Sequence, residues 1–205
     1  MTTRRLAVVT AGLSQPSSTR LLADRLADAT RRSLGRRGLE AGFDVVELRD
    51  SARELTDNVL TGFPPPRLRD VLNTVASADG LIAVTPIFTA SYSGLFKMFF
   101  DVVEADALTD KPVLIAATGG TERHSLALEH ALRPLFTYLR AVVVPTAVYA
   151  ASSDWGSGDS GGNGLRKRID RAADQLSQLV DAKASTGPTD PFEDLTPFEQ
   201  LLSSK

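Results

Sequence analysis

The sequence contains no cysteine and only two histidines. Without cysteine the chain can form no disulfide, no thiol nucleophile and no cysteine-ligated metal site. The histidines are His124 and His130, and neither stands in the HExxH spacing of a zinc hydrolase. We therefore expect a protein without a bound metal, whose chemistry depends neither on a thiol nor on a metal ion.

Long apolar runs and a strong excess of one charge are also missing. No stretch approaches the roughly 18 apolar residues of a membrane span, and Arg4 and Arg5 precede a short predicted strand instead of the apolar core of a signal peptide. The formal net charge of −2 gives no electrostatic reason to expect nucleic acid or an anionic membrane as a partner. The sequence therefore predicts a cytoplasmic protein with neither of these as its main partner.

Short apolar segments rich in β-branched residues alternate with segments of helical periodicity. The predicted strands are residues 6–10, 43–48, 80–84, 113–117 and 141–148. Strands that alternate with helices predict an α/β fold with a doubly wound, five-stranded parallel sheet. A length of 205 residues suits one such domain. We expect it to occupy residues 1–183, followed by a tail, residues 184–205, that contains a short amphipathic helix.

Local signals predict where some of these elements begin and end. Pro86 should end the third strand, because proline lacks a backbone donor and restricts the residue before it. Ser93 should cap the helix that follows. Pro134 should kink or interrupt the helix expected over residues 124–140.

The glycine motifs of nucleotide-binding loops are absent as well. The loop after the first predicted strand, residues 11–16, contains neither GxGxxG nor a Walker lysine. The polar side chains before the first helix are Ser14, Gln15, Ser17, Ser18 and Thr19. A helix N-terminus binds anions because its first N–H groups lack intrahelical partners and its dipole favours negative charge. The loop therefore fits a phosphate site, and it also fits a serine-rich helix cap without a ligand.

Two further loops follow strands at the same predicted edge of the sheet. Residues 85–93 follow the third strand, and the sequence TGGT at 118–121 follows the fourth. Ligands of open α/β sheets bind beyond the carboxyl ends of the strands. Paired glycines permit either the close approach of a flat ligand or a plain tight turn. A hydroxyl-rich first loop with ligand loops after strands three and four is the arrangement of the flavodoxin-like fold, which binds FMN.

Two other features have open interpretations. A group of arginines that begins with Arg25 lies along the first predicted helix and its exit; such residues can attract an anionic cofactor or form a solvated helix face. Trp155 is the only tryptophan and lies in a segment of low complexity, residues 151–164, whose composition predicts a flexible loop. It is suited to covering a ring system or to burial against a neighbouring subunit.

Together, these loops resemble those of a known family. The stretch 80–101, GLIAVTPIFTASYSGLFKMFFD, is similar to the strand, flavin loop and helix of NADPH-dependent FMN reductases. The sequence ATGGT at 117–121, followed by His124 and by ALRP at 131–134, resembles the subgroup that supplies reduced flavin to alkanesulfonate-type and luciferase-like two-component monooxygenases. The tail and the glycine-rich loop lie outside the resemblance.

The chain departs from the family pattern at several positions. Phe88 stands where many relatives have tyrosine, and Gln15 stands where they have an arginine in the phosphate loop, with Arg20 further on. His130 occupies the place of an extra helix residue, which in relatives widens the helix into a π-type turn at a subunit interface. An ordinary helical position for His130 remains the alternative.

The resemblance implies FMN and NADPH as cofactors, with NADH as an alternative to NADPH. It implies that the flavin phosphate lies at Ser14, Gln15, Ser17, Ser18, Thr19 and Arg20. It implies that the ring lies between Pro86, Ile87, Phe88 and Thr89 on one side and Thr118, Gly119, Gly120 and Thr121 on the other. No residue is expected to act as acid, base or nucleophile, because the cofactors carry the hydride chemistry.

The activity implied is NAD(P)H-dependent FMN reduction by hydride transfer to flavin N5, with the product FMNH2 used by a partner flavin-dependent monooxygenase. A homodimer or homotetramer is implied as well. Two alternatives remain open from the sequence. One is a quinone or azo reductase that retains its FMN, and the other is a flavodoxin-like redox binding protein without turnover.

Overall fold

The computed structural model describes residues 3–156 and 163–183. Its strands are β1 (Thr3–Thr10), β2 (Glu40–Glu47), β3 (Gly80–Phe88), β4 (Ser91–Tyr92), β5 (Pro112–Gly119), β6 (Val142–Val143) and β7 (Val148–Ala151). Its α-helices are α1 (Ser18–Arg36), α2 (Ala52–Thr61), α3 (Pro66–Ser77), α4 (Gly94–Val102), α5 (Arg133–Tyr138), α6 (Ser153–Gly156) and α7 (Asn163–Ala182). The predicted tail, residues 184–205, lies outside the described residues.

The strands form one sheet in the order β2-β1-β3-β5-β6, and these neighbours are all parallel. Strand β7 also pairs in parallel with β5, so β6 and β7 share one edge of the sheet. Strand β2 lies on one side of β1, and β3 and the later strands lie on the other side, so the strand order reverses between β1 and β3. This reversal is the switch point at which doubly wound sheets bind their ligands.

Apolar side chains cover both faces of the sheet. On one face, Leu55 of α2, Val75 of α3 and the rings of α4 and α5 form a buried cluster, in which Phe100 lies 4.7 Å from Phe96 and 4.9 Å from Phe136 between ring centroids. On the other face, α1 and α7 bury their leucines against the strands. Strands buried on both faces explain why the sequence segments are continuously apolar. None of the helices in residues 3–156 and 163–183 is long and apolar enough to span a bilayer.

The prediction that the third strand ends at Pro86 is wrong. Strand β3 continues to Phe88, with Pro86 opposite Thr118 of β5, and then turns back so that Ile87 pairs with Tyr92. The strand passes through Pro86 because a proline already has the extended φ that a strand needs and loses only one donor. The predicted cap of α4 is confirmed, since the Ser93 hydroxyl accepts from the N–H of Phe96 at 3.3 Å.

The fifth predicted strand, residues 141–148, is divided in the structure. Residues 142–143 and 148–151 are extended, and the segment between them contains Pro145. A proline cannot donate a ladder hydrogen bond, which accounts for the gap. The strand also runs further than expected, so residue 151 belongs to β7 and residues 153–156 form the short helix α6 instead of a flexible loop. Residues 157–162 of that predicted loop lie outside the described residues.

The helix expected over residues 124–140 is interrupted, as Pro134 predicted. A 3-10 turn covers Glu122–His124, a π-helical segment covers Leu128–Leu132, and α5 follows. The N–H of Arg133 donates to the carbonyl of Leu128, five residues back. Pro134 has no N–H for the carbonyl of His130, four residues back, and the wider turn accommodates this loss. His130 therefore lies in a π-type turn.

Candidate functional site

A cleft of about 390 Å³ opens where β1, β3, β5 and β7 end. A volume of this size lies in the range of small-molecule sites, about 300–1,000 Å³. Its lining residues are Leu13, Ser14, Ser17, Ser18, Thr19, Pro86, Ile87, Phe88, Thr118, Gly119, Gly120, Ser152 and Trp155. They come from four segments that are distant in sequence, each at the end of one of these strands, and meet because the strands are neighbours.

The first wall of the cleft is the N-terminus of α1. Ser17 is the N-cap, and its hydroxyl accepts from the N–H of Arg20 at 3.2 Å. A side chain at Gly12 would collide with this Ser17 hydroxyl, so the loop folds this closely only with glycine there. The hydroxyls of Ser14 and Ser18 line the same wall. The wall therefore presents hydroxyls and first-turn amides, which are the donors that suit an anion.

The second wall is the end of β3, next to the hairpin and loop that lead to α4. Pro86, Ile87 and Phe88 line the cleft, and the Phe88 side chain is 48% exposed. Thr89 and Ala90 form the two-residue turn of the β3–β4 hairpin and have positive φ of 48° and 69°. Below this wall, the buried Thr85 hydroxyl accepts from the N–H of Ser93 at 3.1 Å and ties the two ends of the loop together. The loop is thus held rigidly at the mouth of the cleft.

The third wall is the end of β5. The buried hydroxyls of Thr118 and Thr19 lie 2.8 Å apart and join this wall to α1. A side chain at Gly119 would collide with the Tyr149 hydroxyl, which donates to the carbonyl of Thr121 at 2.7 Å. A Cβ at Gly120 would meet no atom within 4 Å. Gly119 is therefore needed by the fold itself, whereas the space beside Gly120 is open.

Ten of the fourteen residues predicted for the site line this cleft. They are Ser14, Ser17, Ser18, Thr19, Pro86, Ile87, Phe88, Thr118, Gly119 and Gly120. The four others, Gln15, Arg20, Thr89 and Thr121, do not appear on its lining. Their contact with a ligand stays a prediction.

The surroundings of these four residues explain their positions. The Arg20 guanidinium bonds Asp24 at 2.8 Å and also pairs with Glu47 on β2, and these carboxylates raise its pKa against the opposing effect of burial. The Gln15 carboxamide lies against the guanidinium of Arg49. Thr89 and Thr121 are exposed, and Thr121 offers its carbonyl to Tyr149.

The cleft also contains three residues outside the predicted site; one of them, Trp155, had covering a ring system among its two open interpretations. Leu13, Ser152 and Trp155 belong to its lining. Trp155 is carried on α6, which directly follows β7, and the guanidinium carbon of Arg25 lies 4.9 Å from the centroid of its ring. The pairing of β7 with β5 sets this position, so the sequence alone could not decide between the two interpretations of Trp155.

The sheet order and a cleft at the carboxyl ends of its strands define a flavodoxin-like α/β protein. The model of the NADPH-dependent FMN reductase family matches residues 4–156. The chain therefore belongs to this family of oxidoreductases, which use FMN and a reduced nicotinamide. The expected fold class, activity and cofactors are confirmed.

Individual relatives agree with this assignment. An FMN reductase (NADPH) from Pseudomonas aeruginosa is 37% identical over 180 residues, which cover 88% of this chain and 94% of the relative. The NADH-dependent FMN reductase SfnF from Pseudomonas fluorescens is 41% identical over 135 residues, covering 66% and 72%. The crystal structure of an oxidoreductase from Corynebacterium diphtheriae has a TM-score of 0.85 at 45% identity, covering 88% of this chain and 98% of that one.

Proposed function

We propose that the cleft is the FMN site of this reductase. The flavin phosphate lies at the N-terminus of α1, and the ring lies between the Pro86–Phe88 wall and the Thr118–Gly120 wall. The observation that carries the proposal is the convergence of these three walls on one cleft at the switch point of the sheet.

The residues of the cleft fit FMN in their chemistry. Ser14, Ser18 and the first-turn amides of α1 are neutral donors for a phosphate dianion, and the helix dipole adds to their effect. The flat walls at Pro86 and Phe88 suit the faces and edges of a planar ring. The open space beside Gly120 leaves room for a ring to approach the backbone. The aromatic and hydroxyl-lined ends of the cleft thus match the two ends of the flavin.

When bound, FMN accepts a hydride from the reduced nicotinamide and so supplies the redox chemistry. The chain has to bind the flavin, orient it and keep water from one side of it. Backbone N–H groups of residues 118–121 are the expected donors toward the pyrimidine side, where negative charge develops on reduction. The lining residues that the structure describes include no aspartate, glutamate, histidine or lysine. A reaction whose hydride chemistry is carried by the cofactors needs no protein acid or base.

The test of this activity is consumption of NADPH and NADH by the pure protein, with and without added FMN, under anaerobic conditions. We expect oxidation of the nicotinamide to require free FMN and to continue through many equivalents of FMN per chain. Turnover of a quinone or azo dye by flavin that stays bound would instead identify the alternative reductase. Absence of nicotinamide oxidation under all conditions would overturn the proposed activity.

The test of the site is the pair Gly120→Ala and Gly35→Ala. A Cβ meets no atom within 4 Å at either position. Gly120 lines the cleft, whereas Gly35 lies near the C-terminal end of α1. We expect Gly120→Ala to weaken FMN binding about tenfold, through a clash with the ring, without lowering the thermal midpoint. Equal FMN dissociation constants for the two variants would contradict the placement of the ring.

We further propose that the reduced flavin leaves the enzyme for a flavin-dependent monooxygenase. The resemblance of residues 117–121 and 131–134 to reductases with such partners supports this. The π-type turn at His130 supports it too, because the resemblance links such a turn to loosely held, exchangeable flavin and π-type turns are often functional. Related reductases are named for NADPH in one case and for NADH in another, so both nicotinamides belong in the assay. The expected result is that FMN passes freely through an ultrafiltration membrane after turnover. Flavin retained with the protein would contradict the proposal.

A homodimer or homotetramer is the proposed assembly. Large apolar side chains stand exposed on the described chain, including Leu60 at 79%, Phe63 at 78% and Tyr138 at 84%. Exposed apolar surface of this kind is typical of an interface. Light scattering coupled to size exclusion measures the mass; a monomer across micromolar concentrations would contradict this proposal.

We place the enzyme in the cytoplasm, where its reduced nicotinamide substrate is produced.

A further inference from the structure

We propose that Arg25, held against Trp155, supplies the positive charge for the flavin phosphate in this chain. This inference rests on the proposed FMN site and goes beyond it, because it assigns the phosphate a cation that lies outside the first loop. Trp155 is then a positioning residue, since it lines the cleft and its ring also holds the Arg25 guanidinium.

Several other arginines on α1 and at its exit are paired with carboxylates. Arg20, the nearest to the phosphate wall, is shared between Asp24 and Glu47, which leaves little of its charge for a ligand. Arg31 and Arg32 pair with Asp28 and Asp170, respectively, and Arg37, just beyond the end of the helix, pairs with Asp174. Within the described part of the chain, Arg25 has no carboxylate within ion-pair distance. Its charge is therefore not neutralised locally.

Arg25 also has a suitable position on α1. Seven residues separate it from Ser18 at the start of α1, a rise of about 10 Å. Helical side chains lean toward the N-terminus of their helix, so the long arginine side chain covers much of this distance. Its guanidinium lies over Trp155, and Trp155 lines the cleft together with Ser14 and Ser18. Only the Trp155 ring therefore lies between the Arg25 guanidinium and the cleft that contains the proposed phosphate wall.

Hydrogen bonds hold α6, which carries Trp155, in place. The Asp154 carboxylate accepts from the N–H of Ala151 at 2.9 Å and from Arg168 at 3.3 Å. Arg168 also donates to the carbonyl of Tyr149 at 3.2 Å. These bonds tie α6, and with it Trp155, to the end of β7. A cation held by an aromatic face on such a platform loses little further freedom when an anion binds.

The experiment compares the dissociation constants of FMN and riboflavin, which lacks the phosphate, by isothermal titration at low and at physiological salt. We expect Arg25→Gln to weaken FMN binding about fivefold to tenfold and riboflavin binding by less than twofold. Arg25→Lys should keep most of the FMN affinity, because the charge and the cation–π contact remain. The matched control is Arg36→Gln, which removes the same charge from the far end of α1 and should change neither constant.

Trp155 provides an independent arm of the test. Trp155→Phe keeps an aromatic face and should bind FMN nearly as the wild type does, whereas Trp155→Ala should reduce the preference for FMN over riboflavin. In the Trp155→Ala background, removal of Arg25 should have a smaller effect than in the wild type, because the two side chains act as a unit. Thermal midpoints within about 2 °C of the wild type identify variants that remain folded.

Two results overturn the inference. One is an Arg25→Gln variant with unchanged FMN affinity, and the other is a variant that loses FMN and riboflavin equally. Failure of the proposed function is a different result: the wild-type protein itself would not bind FMN or would not oxidise a nicotinamide with it. A wild type that prefers FMN to riboflavin, together with an inert Arg25→Gln substitution, rejects the role of Arg25 and leaves the FMN site standing.

Discussion

Gly119 and Gly120 are adjacent at the end of β5, yet only Gly119 is required by the packing of the protein itself. The space at Gly119 is taken by the Tyr149 hydroxyl, which reaches past it to the carbonyl of Thr121. The partial burial of Tyr149, with Glu122 and Asp154 nearby, raises the pKa of its phenol and keeps it a donor. The sequence shows two glycines but gives no means of telling which one the protein itself requires.

The substitution Gly119→Ala should lower the free energy of unfolding by about 1–3 kcal/mol, because the new Cβ displaces the Tyr149 ring or its hydroxyl. Urea denaturation measures the change. In the Tyr149→Phe background the same substitution should cost less, because the colliding oxygen is gone. Equal costs of Gly119→Ala in the two backgrounds would contradict the packing described here.

Lys111 is a buried charge at the opposite end of the sheet from the cleft. Its side chain is 3% exposed, and its Nζ donates to the carbonyls of Val75 and Ala76 at 2.7 and 2.6 Å, near the end of α3. Burial, with a smaller contribution from Lys183 and against the attraction of Asp79, lowers its pKa to about 8. Lys111 thus satisfies two carbonyls near the C-terminal end of α3, although burial of its charge is unfavourable.

A depressed lysine pKa makes stability depend on pH in a definite direction. Between about pH 8 and the ordinary value of 10.5, the unfolded chain holds a proton on Lys111 that the folded chain has released. The unfolding free energy should therefore rise with pH across this window, by up to about 1.4 kcal/mol per unit, and this gain is lost as the pH falls through 8. Urea denaturation at pH 8.0 and 9.5 measures the slope, with Lys111→Met as the control. A slope unchanged in the variant would contradict the assignment.

At the scale of elements, the β3–β4 hairpin shows best how the structure departs from local expectation. A two-residue hairpin turn with positive φ at both positions normally contains asparagine and glycine. Here Thr89 and Ala90 occupy those positions, so the sequence carries no hairpin signal. The pairing of β3 with β5 and the ties between Thr85 and Ser93 hold the turn in its strained conformation. The extra strand length brings Ile87 and Phe88 to the cleft.

The hairpin predicts opposite effects for two substitutions at Ala90. Ala90→Gly should not lower stability, since glycine adopts positive φ readily. Ala90→Val should lower the free energy of unfolding by about 1–2 kcal/mol, because a β-branched residue resists this region. Thermal denaturation of both variants checks the difference. A valine variant as stable as the glycine variant would indicate a different turn.

At the scale of the whole molecule, the cleft connects elements that are distant in the sequence. The bond between Thr19 and Thr118 joins α1 to β5, and the contact between Arg25 and Trp155 joins α1 to α6. A ligand that bridges these walls binds only the folded chain. Its binding energy therefore adds to the stability of the domain.

FMN at 100 times its dissociation constant should raise the free energy of unfolding by about 2.7 kcal/mol. For a domain of this size that corresponds to a rise of roughly 5–10 °C in the midpoint. Differential scanning calorimetry measures the shift, and riboflavin at the same concentration should give a smaller one. An equal shift with both flavins would show that the phosphate contributes nothing to binding.

The resemblance of residues 80–101 and 117–121 led to the right family and to most of the cleft, because strand ends and their loops are local features that one stretch of sequence contains. Other features depend on partners distant in the sequence. Arg20 pairs with Glu47 from another strand, and its expected contact with the flavin phosphate stays a prediction. Trp155 had two open interpretations, and its place in the cleft depends on how β7 pairs with β5.

By itself, the sequence determined the alternation of strands and helices, the hydroxyl-rich start of α1, the cap at Ser93 and the interruption at Pro134. Each of these depends on interactions within a few residues. Only the tertiary structure decided which charges stay free, which glycine is sterically required and which aromatic ring lines the cleft. Those outcomes depend on partners distant in the chain, and the strand order, not local sequence, brings such partners together.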